Sequence, residues 1–408
     1  MEGPGRSRAG EENGGSEVTP PTPEEGLCSL IEREPNVFKI PDVNAILTKA
    51  VEEKASDAVF GAGETVWVRI HGVWLRGTRR ILLATEVDDI LNALARTPSA
   101  AAQITSGRDL DFKYEIPLDR FRRLRFRVNA TACQGDMSRG LEITMRSIPD
   151  QPPSLEDLNV EEAILRAIYP LFGLVLVTGP VGSGKTTLLA AVLAKSARTN
   201  RRRILTYEAP VEFDLRSVPG RIAPVTQTEI PGDLSGGWEA APRNSLRRAG
   251  DIVLFGEARD RETMERMLEN SETGVATYST SHTNGVADTL SRIVDVFPWE
   301  ERDGMLRKMI SNLRLIVNQR LFPKVGGGRI ALREFLEFTP SRRKALLSLP
   351  YEKIIPVVME DLETDGQSLA QDARKKRAEG LISEETLDQI LQLTEADTSL
   401  AKKRAEGF

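Results

Sequence analysis

The sequence predicts a parallel α/β core, preceded by a small mixed α+β domain and followed by a helical segment. Three observations carry that prediction. Apolar stretches at 173–178, 203–207, 252–255 and 276–280 alternate with helical patterns, the rhythm of parallel strands joined by crossover helices. Ahead of them Ile148-Pro149-Asp150-Gln151-Pro152-Pro153-Ser154 forms a stiff, proline-rich connector that separates two regimes of patterning. From about Ser341 onward the pattern is helical. The expected organisation is a disordered tail over 1–34, a first domain over 35–149, the α/β core over 150–340 and a helical segment over 341–408.

The tail is expected because residues 1–26 are mostly Gly, Pro, Glu and Ser with almost no large apolar side chain, too little to offset the entropy of ordering. In the first domain, 65–70 and 73–75 read as strands joined at His71-Gly72, a two-residue hairpin loop. Thr85 with Asp88 reads as a capping box opening a helix through Ala95. Arg123 to Val128 alternates strictly, so Leu124, Phe126 and Val128 share one face and Arg123, Arg125 and Arg127 the other. Residues 142–146 form a further strand. In the core, Arg201-Arg202-Arg203 reads as a surface turn between helix and strand, and Ser383 caps a last helix whose first turn carries Glu384 and Glu385.

Composition removes several function classes. The chain has 408 residues with 55 Lys+Arg against 60 Asp+Glu, a net charge of -5 that argues against a nucleic-acid binder. Two cysteines, Cys28 and Cys133, and two histidines, His71 and His282, are too few for a disulfide framework or a zinc module. No apolar run approaches the ~20 residues that span a bilayer. No secretory leader is evident, so a cytoplasmic location is expected.

The chemistry centres on Gly179-Pro180-Val181-Gly182-Ser183-Gly184-Lys185-Thr186, which fits the phosphate-loop pattern GxxxxGK[ST] at every fixed position. A strand precedes it and a helix follows. Backbone N–H groups at Gly179, Gly182, Ser183 and Gly184 would converge on phosphates, with Thr187 just inside the helix. Lys185 would reach the β- and γ-phosphates of ATP and the Thr186 hydroxyl would ligate Mg²⁺. Asp251 to Glu257 is a buried strand with an acid just past its C-terminal end, where open α/β sheets place ligands. Glu257 is therefore the candidate to orient or deprotonate an attacking water. Where a generic ATPase carries a metal-linked aspartate, this chain has Gly256. Glu208 and Glu212 follow another strand and could serve metal or water, with Glu212 the more readily assigned to a structural loop. His282, after the strand at 276–280, is placed to sense a γ-phosphate. Arg125 and Arg127 read equally as arginine fingers or as a solvated face.

Together these motifs resemble the secretion-superfamily ATPases of type II secretion, type IV secretion and type IV pili. Glu208 to Phe213 is similar to that family's Asp box, Phe255 to Asp260 to its Walker B region, and Ser281-His282-Thr283 with Arg292 to Pro298 to its His box. Arg125-Phe126-Arg127-Val128-Asn129 is similar to the arginine strand of the pilus retraction branch. The Glu-Ala-Pro form at 208–210 resembles the type IVB secretion and conjugative transfer ATPases. The resemblance implies a homo-hexameric ring of subunits, each pairing a PAS-like N-terminal domain with a RecA-like core. It implies Arg125 and Arg127 near the nucleotide and docking on an inner-membrane secretion or transfer complex. Membrane association would run through those partners, without direct contact to nucleic acid. The alternatives are a nucleotide-regulated scaffold with little hydrolysis and a pilus retraction motor; the Ala-Ile-Arg-Asn-Leu-Ile signature of the latter is replaced by Ala331 to Leu336.

Overall fold

The computed structural model describes residues 29–406 apart from 71, 120–122, 135–138, 150, 231 and 258–260. The first 28 residues of the expected tail and the His71 turn therefore lie outside the described residues. The chain divides into two compact units, Met1–Ile148 and Pro149–Phe408.

The first unit holds α1 (Ile40–Glu52), β1 (Ala55–Gly61), β2 (Trp67–Ile70), β3 (Val73–Arg76), α2 (Ala84–Leu94), α3 (Ala100–Thr105), β4 (Leu110–Pro117), β5 (Arg123–Gln134) and β6 (Arg139–Ile148). Its six strands form one antiparallel sheet in the order β3-β2-β1-β6-β5-β4. The hairpin pairs Ile70 with Val73, as a two-residue loop requires. Phe126 and Val128 are buried with Val43, Ile46, Leu91 and Ile104 of the three helices in one core. Leu30, within the stretch expected to be tail, belongs to that core at 5% exposure, and its N–H donates to the Gly77 carbonyl.

The helix expected to open at Thr85 starts earlier, with Leu83 as N-cap. The acid that reaches back is Glu86, not Asp88. Its carboxylate accepts from the Leu83 and Phe38 N–H groups and pairs with Arg80. Glu86 stands three residues after the true N-cap, the position from which a carboxylate reaches back to the N-cap N–H; the leucine returns no bond.

The second unit holds α4 (Glu162–Ala167), β7 (Gly173–Thr178), α5 (Lys185–Thr199), β8 (Ile204–Glu208), β9 (Val225–Glu229), α6 (Gly237–Arg247), β10 (Ile252–Phe255), α7 (Arg261–Glu272), β11 (Ala276–Ser281), α8 (Val286–Asp295), α9 (Trp299–Asn312), β12 (Leu313–Pro323), β13 (Arg329–Glu337), α10 (Pro340–Leu347), α11 (Tyr351–Thr364), α12 (Leu369–Ala378) and α13 (Glu384–Glu406). The sheet order is β13-β12-β7-β11-β10-β8-β9, parallel except for the β12–β13 hairpin.

Successive residues of the parallel strands enter two different cores. Leu174, Leu176, Leu205, Tyr207, Val253 and Phe255 pack against α7 to α11, while Val175, Val177, Ile204, Ile252 and Leu254 pack against α5. Burial on both faces is why these strands read as continuous apolar runs. Ser383 Oγ accepts from the Thr386 N–H, as a cap of α13 should. The arginines at 201–203 are more than a surface turn, because Arg202 donates to the Pro170, Leu171 and Asp251 carbonyls and ties together the approaches to three strands.

Candidate functional site

Parallel register delivers the motifs to one edge of the sheet. Thr178 pairs with Ser281, Phe255 with Ser279 and with Tyr207. The residues just beyond, namely the loop from Gly179, Glu257, His282 and Glu208, therefore emerge together at the C-terminal ends of β7, β10, β11 and β8. This is the ligand edge of an open α/β sheet.

The loop backbone supplies a concave, donor-rich surface. Gly179, Gly182 and Gly184 have φ of +135°, +76° and +83°, conformations that side chains disfavour. Gly184 is the N-cap of α5, so the positive end of that helix opens onto the loop. Ser183 Oγ is buried and has no hydrogen-bond partner among the described residues. Lys185 Nζ, on a side chain only 7% exposed, donates to the loop's own carbonyls at Gly179 (2.8 Å) and Pro180 (2.9 Å). An orphaned hydroxyl, a donor-lined concavity and an ammonium held only by neutral acceptors fit a polyphosphate. Thr186 and Thr187 are half-buried on the first turn of α5.

Three predicted residues lie in line. Lys185 Nζ is 3.3 Å from His282 Nδ1, and His282 Nε2 is 3.3 Å from Glu257 Oε1. An ammonium only donates, so Nδ1 accepts from it and Nε2 carries the proton shared with Glu257. Burial pulls the Lys185 pKa below its ordinary value, with the carboxylates of Glu257 and Glu212 opposing. Glu212, read from sequence as the weaker candidate, thus joins Glu257 in the field around the lysine. The His282 segment is pinned by Arg292 Nη1 on the His282 carbonyl (3.2 Å) and by Asn318 Nδ2, which donates to both Thr178 Oγ1 and the Thr283 carbonyl (2.9 Å each).

Glu208 is buried at 6% exposure, where its Oε1 accepts from Thr206 Oγ1 (2.5 Å) and Gln227 Nε2 (3.2 Å). A Cβ on Gly256 would stand 3.2 Å from the Tyr207 carbonyl oxygen and 3.4 Å from the Glu208 Cα. A side chain at 256 would therefore press on the end of β8. Among the described residues no group of three or more His, Cys, Asp or Glu could hold a metal.

Arg125 and Arg127 belong to the other unit. Arg123 and Arg125 both pair with Glu115 on β4, at 2.9 and 3.3 Å, so an acid relieves their like-charge face; Arg127 is exposed. Sequence reading missed Gln319, whose side chain touches the phosphate loop from β12. Its signal was available: Asn318, Gln319 and Arg320 are three consecutive polar residues, all buried, directly after the apolar run Leu315–Val317.

A glycine-rich loop between a buried strand and a helix, on the C-terminal edge of a parallel sheet, defines a RecA-like nucleotide-binding core. The family model described as "Type II/IV secretion system protein" matches residues 32–327, and the chain belongs to that family. It is 35% identical over 367 residues to the type IV pilus retraction ATPase PilT of Pseudomonas aeruginosa, covering 87% of this chain and 99% of that one. Among solved structures, the ATPase DotB of Legionella pneumophila matches with a TM-score of 0.82 and 36% identity, over 90% of this chain and 99% of that chain. The pilus retraction motor PilT with bound ADP matches with a TM-score of 0.74 and 29% identity, over 86% and 97%. The likeness places this chain in the DotB-like branch of the secretion superfamily. No helix among the described residues is long and apolar enough to cross a membrane.

Proposed function

We propose that this protein is a cytoplasmic Mg²⁺-dependent ATPase that, as a homo-hexameric ring, energises a type IVB secretion or conjugative transfer apparatus. The observation that carries the chemistry is the line Lys185–His282–Glu257 beside the phosphate loop. Likeness to DotB over nearly the whole of both chains supports the choice of apparatus.

On binding ATP, Lys185 exchanges its contacts with the Gly179 and Pro180 carbonyls for phosphate oxygens. Glu257 accepts a proton from the water that attacks the γ-phosphorus, and the bond to the ADP oxygen breaks as the new P–O bond forms. His282 holds Glu257 through Nε2–H and loses its Nδ1 donor when Lys185 turns to the phosphate, so it registers occupancy of the site. Thr186, with Glu208 in support, would hold Mg²⁺, which supplies charge neutralisation on the phosphates when bound. Arg125 and Arg127 act as fingers on nucleotide in the assembled ring, and hydrolysis drives domain motion. The ring docks on inner-membrane components and touches neither bilayer nor nucleic acid directly.

A pilus retraction motor is the second reading, favoured by 35% identity to PilT across 99% of its length. The test of the ring is Mg²⁺-ATP turnover across a protein concentration series, paired with sedimentation. Specific activity rising with concentration alongside a hexamer boundary supports the proposal. Constant specific activity from a monomer overturns the ring, and nucleotide binding without turnover at any concentration favours a scaffold.

A further inference from the structure

The phosphate loop is held from β12. Asn318 pairs with Thr178, so Gln319 lies beside Gly179, where an added Cβ would be 2.2 Å from the Gln319 carbonyl oxygen. The Gln319 side chain grips the loop a second time: its Nε2 donates to the Ser183 carbonyl at 2.7 Å, and its Oε1 accepts from Arg333 Nε at 2.7 Å. A guanidinium has only donors, so Arg333 settles the orientation of the amide, oxygen towards itself and NH₂ towards Ser183. In a trans peptide the Ser183 C=O and the Gly184 N–H point in opposite directions. Securing that carbonyl on Gln319 therefore turns the Gly184 N–H to the other side, at the N-cap of α5.

Arg333 is itself immobilised. It is 1% exposed, and three more of its guanidinium N–H groups go to the Leu158 and Asn159 carbonyls and to Glu161 Oε2 at 2.9, 3.0 and 3.0 Å. Glu161 also accepts from Lys376, Lys376 pairs with Asp372, and Asp372 accepts the Arg333 N–H at 2.9 Å. Two cations and two carboxylates thus close a buried network that reaches from α12 to the phosphate loop. Such a network is stiff because each member loses a partner if one moves.

We propose that Gln319, oriented by Arg333, is a positioning residue for the phosphate loop, presetting the Gly184 N–H for the pyrophosphate of a nucleoside di- or triphosphate. The inference rests on the nucleotide-binding reading above. The test is titration of the full-length protein with a fluorescent ADP analogue, with inorganic pyrophosphate as competitor, for wild type and Gln319→Met. The variant keeps side-chain length while removing both hydrogen bonds. One preset hydrogen bond to a charged group predicts a Kd for ADP weaker by about 10- to 100-fold. Pyrophosphate should weaken by the same factor and KM for ATP should rise, with kcat changed less than about threefold, while the thermal midpoint falls because Arg333 Nε–H and the Ser183 carbonyl each lose a buried partner. A purely structural role would move only the thermal midpoint and leave affinity in the folded fraction intact. If Gln319→Met does not fold, Arg333→Lys serves in its place, because lysine keeps the buried charge but cannot hold Gln319 and the 158–161 segment together. Wild type that binds while the folded variant binds equally well overturns this inference alone. Wild type that binds no nucleotide overturns the nucleotide reading and this inference with it.

Discussion

Replacing Glu334 by glutamine should flatten the pH dependence of stability. Glu334 lies in β13 with its carboxyl buried, where Oε1 accepts from the Val286 N–H at 2.6 Å at the start of α8. Burial pushes its pKa from 4.5 up to about 7, against the pull of the Val286 N–H and the Arg320 charge. Between those two values the folded protein holds a proton that the unfolded chain has released. Its contribution is therefore fully present below 4.5 and is lost as pH rises through about 7. The interval between 4.5 and about 7, at 1.36 kcal/mol per pH unit, makes that loss ~3 kcal/mol. Glutamine keeps an acceptor for Val286 and cannot ionise. Calorimetric unfolding at pH 5, 6, 7 and 8 should show wild type losing stability relative to Glu334→Gln by roughly that amount, mostly between pH 5 and 7. Parallel pH profiles for the two proteins would refute the reasoning, because the group would then be ionised in the folded state as in the unfolded one.

Two further substitutions probe the site itself. Gly179→Ala should weaken ADP binding at least tenfold and lower stability by about 1–3 kcal/mol, since φ of +135° and a Cβ 2.2 Å from the Gln319 carbonyl oxygen both demand strain; isothermal titration and thermal melts measure the two effects. His282→Ala severs the link between Lys185 and Glu257 and should lower ATP turnover by about 10²-fold while ADP affinity stays within about threefold, as read by steady-state kinetics beside equilibrium titration.

Much of the site was visible before any coordinates because parallel strands export their last residues to one edge. Four strand-end motifs read separately from the sequence had to meet if the strands were neighbours, and β7, β11, β10 and β8 are neighbours. What stayed hidden follows from how the signals are written. The β12–β13 hairpin was missed because α9 runs to Asn312 and β12 begins at Leu313 with no intervening turn residue, so no punctuation marks the change. β9 is short, and its alternation of Val225 and Thr228 with half-buried polar residues is weak. Gln319 and Arg333 act through partners 136 and 172 residues away in the chain, a relation that neither spacing nor periodicity encodes. Glu208 was correctly placed at a strand end, yet only the fold shows its carboxylate turned to Thr206 and Gln227.

The most direct test of the central claim compares wild type with Glu257→Gln in two measurements made on the same preparations, equilibrium binding of ATP and Mg²⁺-dependent phosphate release. Glutamine preserves the size of the side chain 3.3 Å from His282 Nε2 but removes the carboxylate that would take the proton of the attacking water. The account predicts ATP binding within about threefold of wild type and phosphate release reduced by at least 10²-fold. Phosphate release at the wild-type rate from Glu257→Gln would contradict it and move the catalytic base elsewhere in the site.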